Sequence, residues 1–126
     1  MNRCLHSWAE IIFGLNALNG KRIRSDGSIV GASDSSNGEA FIHYIVEKGY
    51  NIYGWELGNE LSGGEVGTRV APDQYASNTI VLHNKVLEIY KDVANKPIVL
   101  APGRFFDVNW FTDFLHRTNN AVDFLT

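Results

Sequence analysis

The chain has 126 residues, of which 44% are hydrophobic and 20% charged, and its formal net charge is −3. This composition is typical of one globular domain or of part of a larger one, and it argues against a disordered or fibrous protein. The negative charge and the absence of a long basic run give little support to nucleic-acid binding, and no apolar run approaches the roughly 18 residues of a membrane-spanning helix.

The first part of the chain predicts one strand followed by one helix. Residues 11–15 form an apolar, β-branched and aromatic run of the kind found in buried strands. The polar stretch after them contains the turn pair Asp26-Gly27. Asn37 is placed to cap a helix with an apolar stripe, and Gly49 is placed to end it.

The alternation of strands and helices continues to the end of the sequence. The later elements are a strand, a Gly-rich loop, a helix, a strand, a helix and the start of a strand, at residues 52–57, 62–71, 72–93, 98–101, 110–115 and 122–125. Pro72 suits the first turn of its helix. Alternation with helices of this length predicts parallel strands joined by right-handed crossovers.

Two α/β architectures fit this order: a doubly wound sheet and part of a (β/α)8 TIM barrel. The first strand is not followed by G-x-G-x-x-G, which weakens a dinucleotide-binding interpretation. A whole barrel needs about 250 residues, roughly twice what this chain has. A half-barrel would leave two unpaired strand edges.

The segment richest in candidate catalytic side chains is residues 55–63, Trp-Glu-Leu-Gly-Asn-Glu-Leu-Ser-Gly. Glu60 lies where a strand ends, and ligands of parallel α/β folds bind at the carboxyl ends of strands. In an unbroken strand, Glu56 and Glu60 would be about 13 Å apart. That exceeds the roughly 5–9.5 Å that separates the two carboxylates of a glycosidase, so a second carboxylate would have to come from elsewhere. We expect Glu56 to have a structural role, paired with a buried donor.

Residues 55–63 resemble the acid/base segment of the heparanase-like proteins of glycoside hydrolase family 79, in particular the plant members. Other segments resemble the same family in the same order, at residues 12–18, 35–37, 48–50, 67–70, 100–103 and 109–111. The resemblance covers residues 11–126 and is specific as a set, since an Asn-Glu pair alone occurs in many barrel glycosidases. Another glycosidase of the same clan would share Asn59-Glu60 but not the flanking residues.

The resemblance implies a (β/α)8 barrel that cleaves β-glucuronides or uronic-acid-containing glycans with retention. It implies that Glu60 is the proton donor and that Asn59 contacts the 2-hydroxyl of the sugar. Residues 1–126 would be a fragment of the catalytic barrel, covering about strands 3 to 6. The nucleophile of the family lies at the end of the seventh strand, and no residue here matches it. We therefore expect the fragment to be inactive alone; the alternative is a truncated, non-enzymatic product that keeps part of a sugar-binding cleft.

Three further residues are candidates for substrate binding. Asn16 ends the first strand and either contacts substrate or caps a turn. Gly103 and Arg104 follow the third strand of the parallel series, and the Arg104 guanidinium either meets a sugar carboxylate or is solvated in a loop. Catalysis by Glu60 requires a raised pKa, for which Trp55, Tyr53 or Phe105 would supply an apolar wall.

No cofactor or metal is expected, because the four histidines lie on different elements without metal-ligand spacing. The expected partner is a glycan or glucuronide, not a nucleic acid. Cys4 is the only cysteine, which excludes an internal disulfide. Residues 1–8 lack the apolar region of a secretory signal, although the resemblance implies a family of the secretory route, in the cell wall, vacuole or lysosome, outside the cell or at membranes.

Overall fold

The computed structural model describes residues 9–59, 69–101 and 107–126. The elements in them are β1 (Ile12–Leu15), β2 (Arg22–Ile23), β3 (Ile29–Val30), α1 (Ser36–Lys48), β4 (Gly54–Leu57), α2 (Pro72–Ile89), β5 (Ile98–Leu100) and α3 (Val108–Thr118). None of these helices is long and apolar enough to cross a membrane.

The centre of the fold is a three-stranded parallel sheet with the order β1-β4-β5. Phe13 of β1, Trp55 of β4 and Val99 of β5 are aligned across it. The predicted α/β class with parallel strands is therefore confirmed. The strand predicted at 122–125 is reduced to one parallel bridge, between Leu100 and Phe124.

The main core lies between this sheet and the helices. Trp55 is fully buried, with its ring 5.8 Å from that of Phe41 in α1. Tyr75 of α2 packs edge-on against Phe114 of α3, with ring centroids 5.6 Å apart. All three helices thus contribute to one cluster, whose fully buried members include Trp55, Tyr75, Phe114, Ile42, Val70, Val86 and Val99. This single core fixes the carboxyl edge of the sheet, where the candidate site lies.

Strand β1 is more exposed than its apolar sequence predicts. The exposed fractions of Ile12 and Phe13 are 45% and 41%, so the prediction of a buried strand is wrong. The physical reason is position: β1 pairs only with β4 among the described strands, and none of the others covers its outer side. An apolar run alone does not distinguish a central strand from an edge strand.

The helix ends agree with the sequence in part. Gly49 ends α1 with φ +68°, and Pro72 begins α2, as predicted. Asn37 does not cap α1, because the helix already begins at Ser36, whose N–H donates to Asp34 Oδ1 at 3.0 Å. Helix α2 ends at Ile89 rather than reaching residue 93.

A small hairpin, β2–β3, stands between β1 and α1 and was not predicted as strands. It turns at Asp26 and Gly27, where Gly27 has φ +81° and Asp26 Oδ1 accepts from the Ser28 N–H at 2.9 Å. Asp-Gly is a favoured hairpin turn, but strands of two residues are too short to give a periodic signal. Ile29 anchors the hairpin in the core, with 4% of its surface exposed.

Candidate active site

Two asparagines follow neighbouring strands at the carboxyl edge of the sheet. Strands β1 and β4 end together, with Leu15 aligned with Leu57, and both Asn16 and Asn59 are exposed just beyond them. The Gly58 N–H donates to the Leu15 carbonyl at 2.8 Å, which joins the two strand ends. The structure thus brings Asn16 and Asn59 to the same edge, as parallel strands require.

Gly58 turns the chain away from the strand direction. Its φ of +70° lies in the left-handed region that side chains rarely adopt, so the extended conformation of β4 ends at Leu57. The 13 Å separation predicted for Glu56 and Glu60 assumed an unbroken strand, and that assumption fails at Gly58. Glu60 itself lies outside the described residues, and its role stays a prediction.

Glu56 lies in the middle of β4, aligned with Gly14 and Leu100 on the sheet face opposite Trp55. Its Oε1 accepts a hydrogen bond from Thr126 Oγ1 at 2.8 Å. The expected donor is therefore present, but it belongs to an exposed residue near the end of the described chain and not to a buried one.

Tyr75 fastens α2 to the end of β4, because its hydroxyl donates to the Leu57 carbonyl. Burial raises the pKa of Tyr75 strongly, and the negative charge of Glu56 raises it further. The hydroxyl therefore remains protonated and available as a donor throughout the neutral range. This bond holds the residue that precedes Gly58 and so fixes where Asn59 emerges.

Asn16 has a turn role in the structure. Its Oδ1 accepts from the Leu18 N–H at 2.9 Å, an Asx-type turn after β1. Its side-chain amide nitrogen donates to no group within the described ranges. The turn alternative is thus observed, while a contact with substrate through that nitrogen stays a prediction.

Of the three aromatic candidates for an apolar wall beside Glu60, the structure describes Trp55 and Tyr53. Trp55 faces the helices and is buried against Phe13 and Phe41, since alternate residues of a strand point to opposite faces. Tyr53 precedes β4 and is therefore at the amino end of the strand, away from the candidate site. Phe105 lies outside the described residues, as do Gly103 and Arg104.

One cavity of the described residues lies beside the carboxyl end of β1. It measures about 520 Å³ and lies between β1, the end of β4 and helices α1 and α2. Phe13, Leu15 and Leu57 form part of its apolar lining, and Asn16 reaches its rim, whereas Asn59 does not line it. We do not assign glycan cleavage to this cavity, because Asn59, which directly precedes the candidate proton donor, does not line it.

The described part of the chain offers no group of three or more His, Cys, Asp or Glu side chains able to hold a metal ion. The side chains of Asn16 and Asn59, which follow β1 and β4 at the carboxyl edge, carry amide groups. Such groups orient a hydroxylated ligand by hydrogen bonds, and a neighbouring carboxyl group would supply the proton transfer.

Comparison with known proteins identifies the family. The model of glycosyl hydrolase family 79, N-terminal domain, matches residues 2–126, so the chain belongs to this glycoside hydrolase family. Heparanase-like protein 3 of Arabidopsis thaliana is 49% identical over 117 residues, which are 93% of this chain and 22% of the relative. Baicalin-beta-D-glucuronidase of Scutellaria baicalensis is 42% identical over 127 residues, covering 90% of this chain and 24% of that enzyme. Heparanase-like protein 2 of Arabidopsis thaliana is 40% identical over 119 residues, which cover 94% of this chain and 22% of that relative.

The chain thus spans between a fifth and a quarter of the length of these relatives. The resemblance drawn from residues 55–63 and the other segments is confirmed at the level of the family. A glycosidase family implies glycan substrates.

Proposed function

We propose that this chain is the acid/base-bearing part of the catalytic domain of a retaining glycoside hydrolase. Its substrates would be β-glucuronides or uronic-acid-containing glycans, cleaved at O-glycosyl bonds. The family and a relative named as a β-D-glucuronidase support the substrate class. The observation that carries the proposal is the end of β4, where left-handed Gly58 presents exposed Asn59 directly before Glu60 at the carboxyl edge of a parallel sheet.

We assign the domain to part of a (β/α)8 barrel, about strands 3 to 6. Two features favour a barrel over a doubly wound sheet. The parallel strands β1, β4 and β5 are adjacent in chain order, without the reversal of a doubly wound sheet. The helices α1, α2 and α3 share one core with the Trp55 face of the sheet, whereas a doubly wound fold has helices on both faces.

In this proposal Glu60 protonates the leaving oxygen and later removes a proton from water. Asn59 donates to the 2-hydroxyl of the sugar, an interaction that strengthens as the oxocarbenium-like transition state develops. Asn16 uses its free amide nitrogen on the same sugar or its neighbour, and Gly103 and Arg104 meet the sugar at the end of β5, with the guanidinium on the carboxylate. No residue of this chain matches the family's nucleophile, so we expect the second carboxylate to come from outside residues 1–126.

The experiment is an exchange of segments with a relative. Residues 10–126 would replace the matching segment of heparanase-like protein 3, and turnover of an aryl β-glucuronide would be measured for the exchanged protein and for this chain alone. We expect turnover by the exchanged protein and none by the chain alone. Glu60→Gln should lower kcat by about 10²-fold or more, the usual contribution of a general acid/base.

The matched control is Glu88→Gln, which makes the same change on the exposed side of α2. It should leave kcat within twofold. Unchanged turnover in the Glu60→Gln protein would refute the acid/base assignment. Turnover by the chain alone would show that a second carboxylate is present within these 126 residues. An exchanged protein that melts like the parent yet has no activity would favour the alternative, a non-enzymatic product.

A further inference from the structure

The hairpin β2–β3 concentrates positive charge in a chain whose net charge is −3. Arg22 and Arg24 lie on its first arm, and Arg69 lies against its second arm. All three side chains are exposed. We call these three residues the arginine cluster.

The backbone holds the arginine cluster in a fixed arrangement. Arg22 pairs with Val30, and the Arg24 N–H donates to the Ser28 carbonyl at 2.8 Å, so these two arginines are two residues apart on one arm and share a face of the hairpin. Arg69 bonds to the second arm through both of its backbone groups, accepting from the Ile29 N–H at 2.9 Å and donating to the Gly27 carbonyl at 3.1 Å. The three cations therefore lie on adjacent strand-like segments.

Within the hairpin itself, little negative charge offsets the cluster. Asp26 is the only acidic residue between Gly20 and Gly31, and its Oδ1 already accepts hydrogen bonds from the Ser28 N–H and from Ser28 Oγ, at 2.9 and 2.6 Å. These bonds, with a smaller contribution from Arg24, lower the pKa of Asp26. Arg22 and Arg69 form no ion pair with any residue that the structure describes.

Lys21, the fourth cation of the region, is engaged within the hairpin. Its Nζ donates to the Gly31 carbonyl at 3.0 Å, and partial burial lowers its pKa. Lys21 therefore braces the base of the hairpin, and the three guanidinium groups remain for a ligand. Arginine presents a planar fork of donors that matches a carboxylate better than lysine does.

The hairpin and Arg69 lie in the connections that follow the carboxyl ends of β1 and β4. The hairpin begins a few residues after Asn16, and Ile29 is buried in the core. Arg69 immediately precedes Val70, which is also buried and leads into the start of α2. The cluster thus belongs to the same end of the sheet as Asn16 and Asn59.

We propose that the arginine cluster is an anion-binding surface for an acidic polysaccharide, holding carboxylate groups of a linear polyuronate beside the cleavage site. Arg22 and Arg24 are about 7 Å apart along their arm, at about 3.3 Å per residue, so one chain with a carboxylate on each sugar reaches both. The inference rests on the proposed function, because it identifies the ligand from the position of the cluster beside a glycan site.

The test measures binding of polygalacturonate to the whole chain by fluorescence titration at 50 mM and 300 mM NaCl. Arg22→Ala with Arg24→Ala should weaken binding about tenfold or more, and Arg69→Ala should weaken it less. Lysine at positions 22 and 24 keeps the positive charge but lacks the planar guanidinium group, so this variant should lose an intermediate amount of binding affinity. Binding should weaken at the higher salt concentration, because ions screen exposed charges.

The matched control is Lys48→Ala with Lys91→Ala, two exposed cations at the ends of α1 and α2. This control removes the same charge and should change binding less than twofold. Equal losses in the two double variants would overturn the proposal, as would equal binding of a neutral β-glucan. So would binding of phosphatidylserine vesicles or a DNA duplex with no binding of polygalacturonate. Circular dichroism of each variant confirms that the fold is kept.

Different experimental results would refute the proposed function and the proposal about the arginine cluster. Glu60→Gln removes the proton donor but no arginine, so it should bind polygalacturonate like the unmodified chain. Loss of turnover when the same substitution is made in the exchanged protein, with intact binding by the chain, supports both proposals. Intact turnover of a small aryl glucuronide with no binding of polygalacturonate refutes the arginine cluster alone.

Discussion

At the residue scale, Gly58 sets the direction in which the chain leaves the central strand. Its N–H bonds to the neighbouring strand at Leu15, and its φ of +70° orients the following Asn59 away from the strand direction. Tyr75 holds the preceding Leu57 carbonyl from the helix side. The position of Asn59 therefore depends on one backbone conformation supported by two hydrogen bonds.

Replacement of Gly58 by alanine should destabilise the chain, because the left-handed conformation costs a residue with a Cβ about 1–2 kcal/mol. The measurement is the free energy of unfolding in urea. The matched control is Gly14→Ala: Gly14 has no atom within 4 Å of an added Cβ and no positive φ. The control should unfold with unchanged or slightly greater stability. Similar losses in both variants would show that Gly58 has no special backbone role.

Individual residues of the candidate site show which features the sequence predicts and which depend on the fold. The motif around Asn59 was recognisable because the residues are adjacent in the chain and lie at a strand end. The turn role of Asn16 and the burial of Trp55 toward the helices depend on which face each residue occupies. A one-residue shift in a strand reverses the face, so residue type alone does not show that Trp55 points toward the helices.

At the scale of elements, helix α3 shows how a local signal fixes a boundary. Asp107 caps it, and its Oδ1 accepts from the Trp110 N–H at 3.0 Å. Further along, Arg117 Nε donates to Asp113 Oδ1 at 2.7 Å in an exposed pair four residues apart. One carboxylate accepts from a backbone donor in the first turn of the helix, and the other joins an ion pair on the surface.

These two carboxylates should differ in their effect on stability. Asp107→Ala should lower the free energy of unfolding by about 1 kcal/mol, the usual value of a helix cap. Asp113→Ala should lower it by about 0.3–0.5 kcal/mol, since exposed ion pairs of this spacing contribute little. Thermal or urea unfolding of the two variants checks the order. A larger loss at Asp113 would contradict it.

Elements were predicted correctly where a periodic pattern was long. They were missed where contacts between distant residues determine the structure. Helices α1 and α2 and strands β4 and β5 follow from apolar spacing, Gly49 and Pro72. The hairpin β2–β3 has only two residues per arm and is supported by Arg69, about 40 positions away in the chain, so no local pattern predicts it. The residues near 124 form a single bridge for the same reason: strand formation needs a partner, not only an apolar sequence.

At the scale of the whole molecule, the described residues have an unpaired edge at β1. Ile11, Ile12 and Phe13 expose 52%, 45% and 41% of their surface there. An exposed apolar edge strand offers backbone groups and side chains to another chain. We therefore expect the isolated chain to associate through this edge.

Analytical ultracentrifugation should therefore detect association of the isolated chain that increases with concentration. Ile12→Lys should raise the monomer fraction, because a charge on an edge strand opposes pairing. The control Leu87→Lys adds the same charge to an exposed position on α2, at 45% exposure, and should not change association. A monodisperse, cooperatively melting monomer would argue against a partial barrel.

The central claim, that Glu60 is the proton donor, is tested most directly by leaving-group dependence in the segment-exchanged heparanase-like protein. A leaving group that needs protonation should lose about 10²–10⁴-fold in kcat/KM in the Glu60→Gln variant, the usual range for general acid catalysis. An activated dinitrophenyl leaving group, which departs without a proton, should lose far less. Equal losses for the two glucuronides, or no loss for either, would contradict the account.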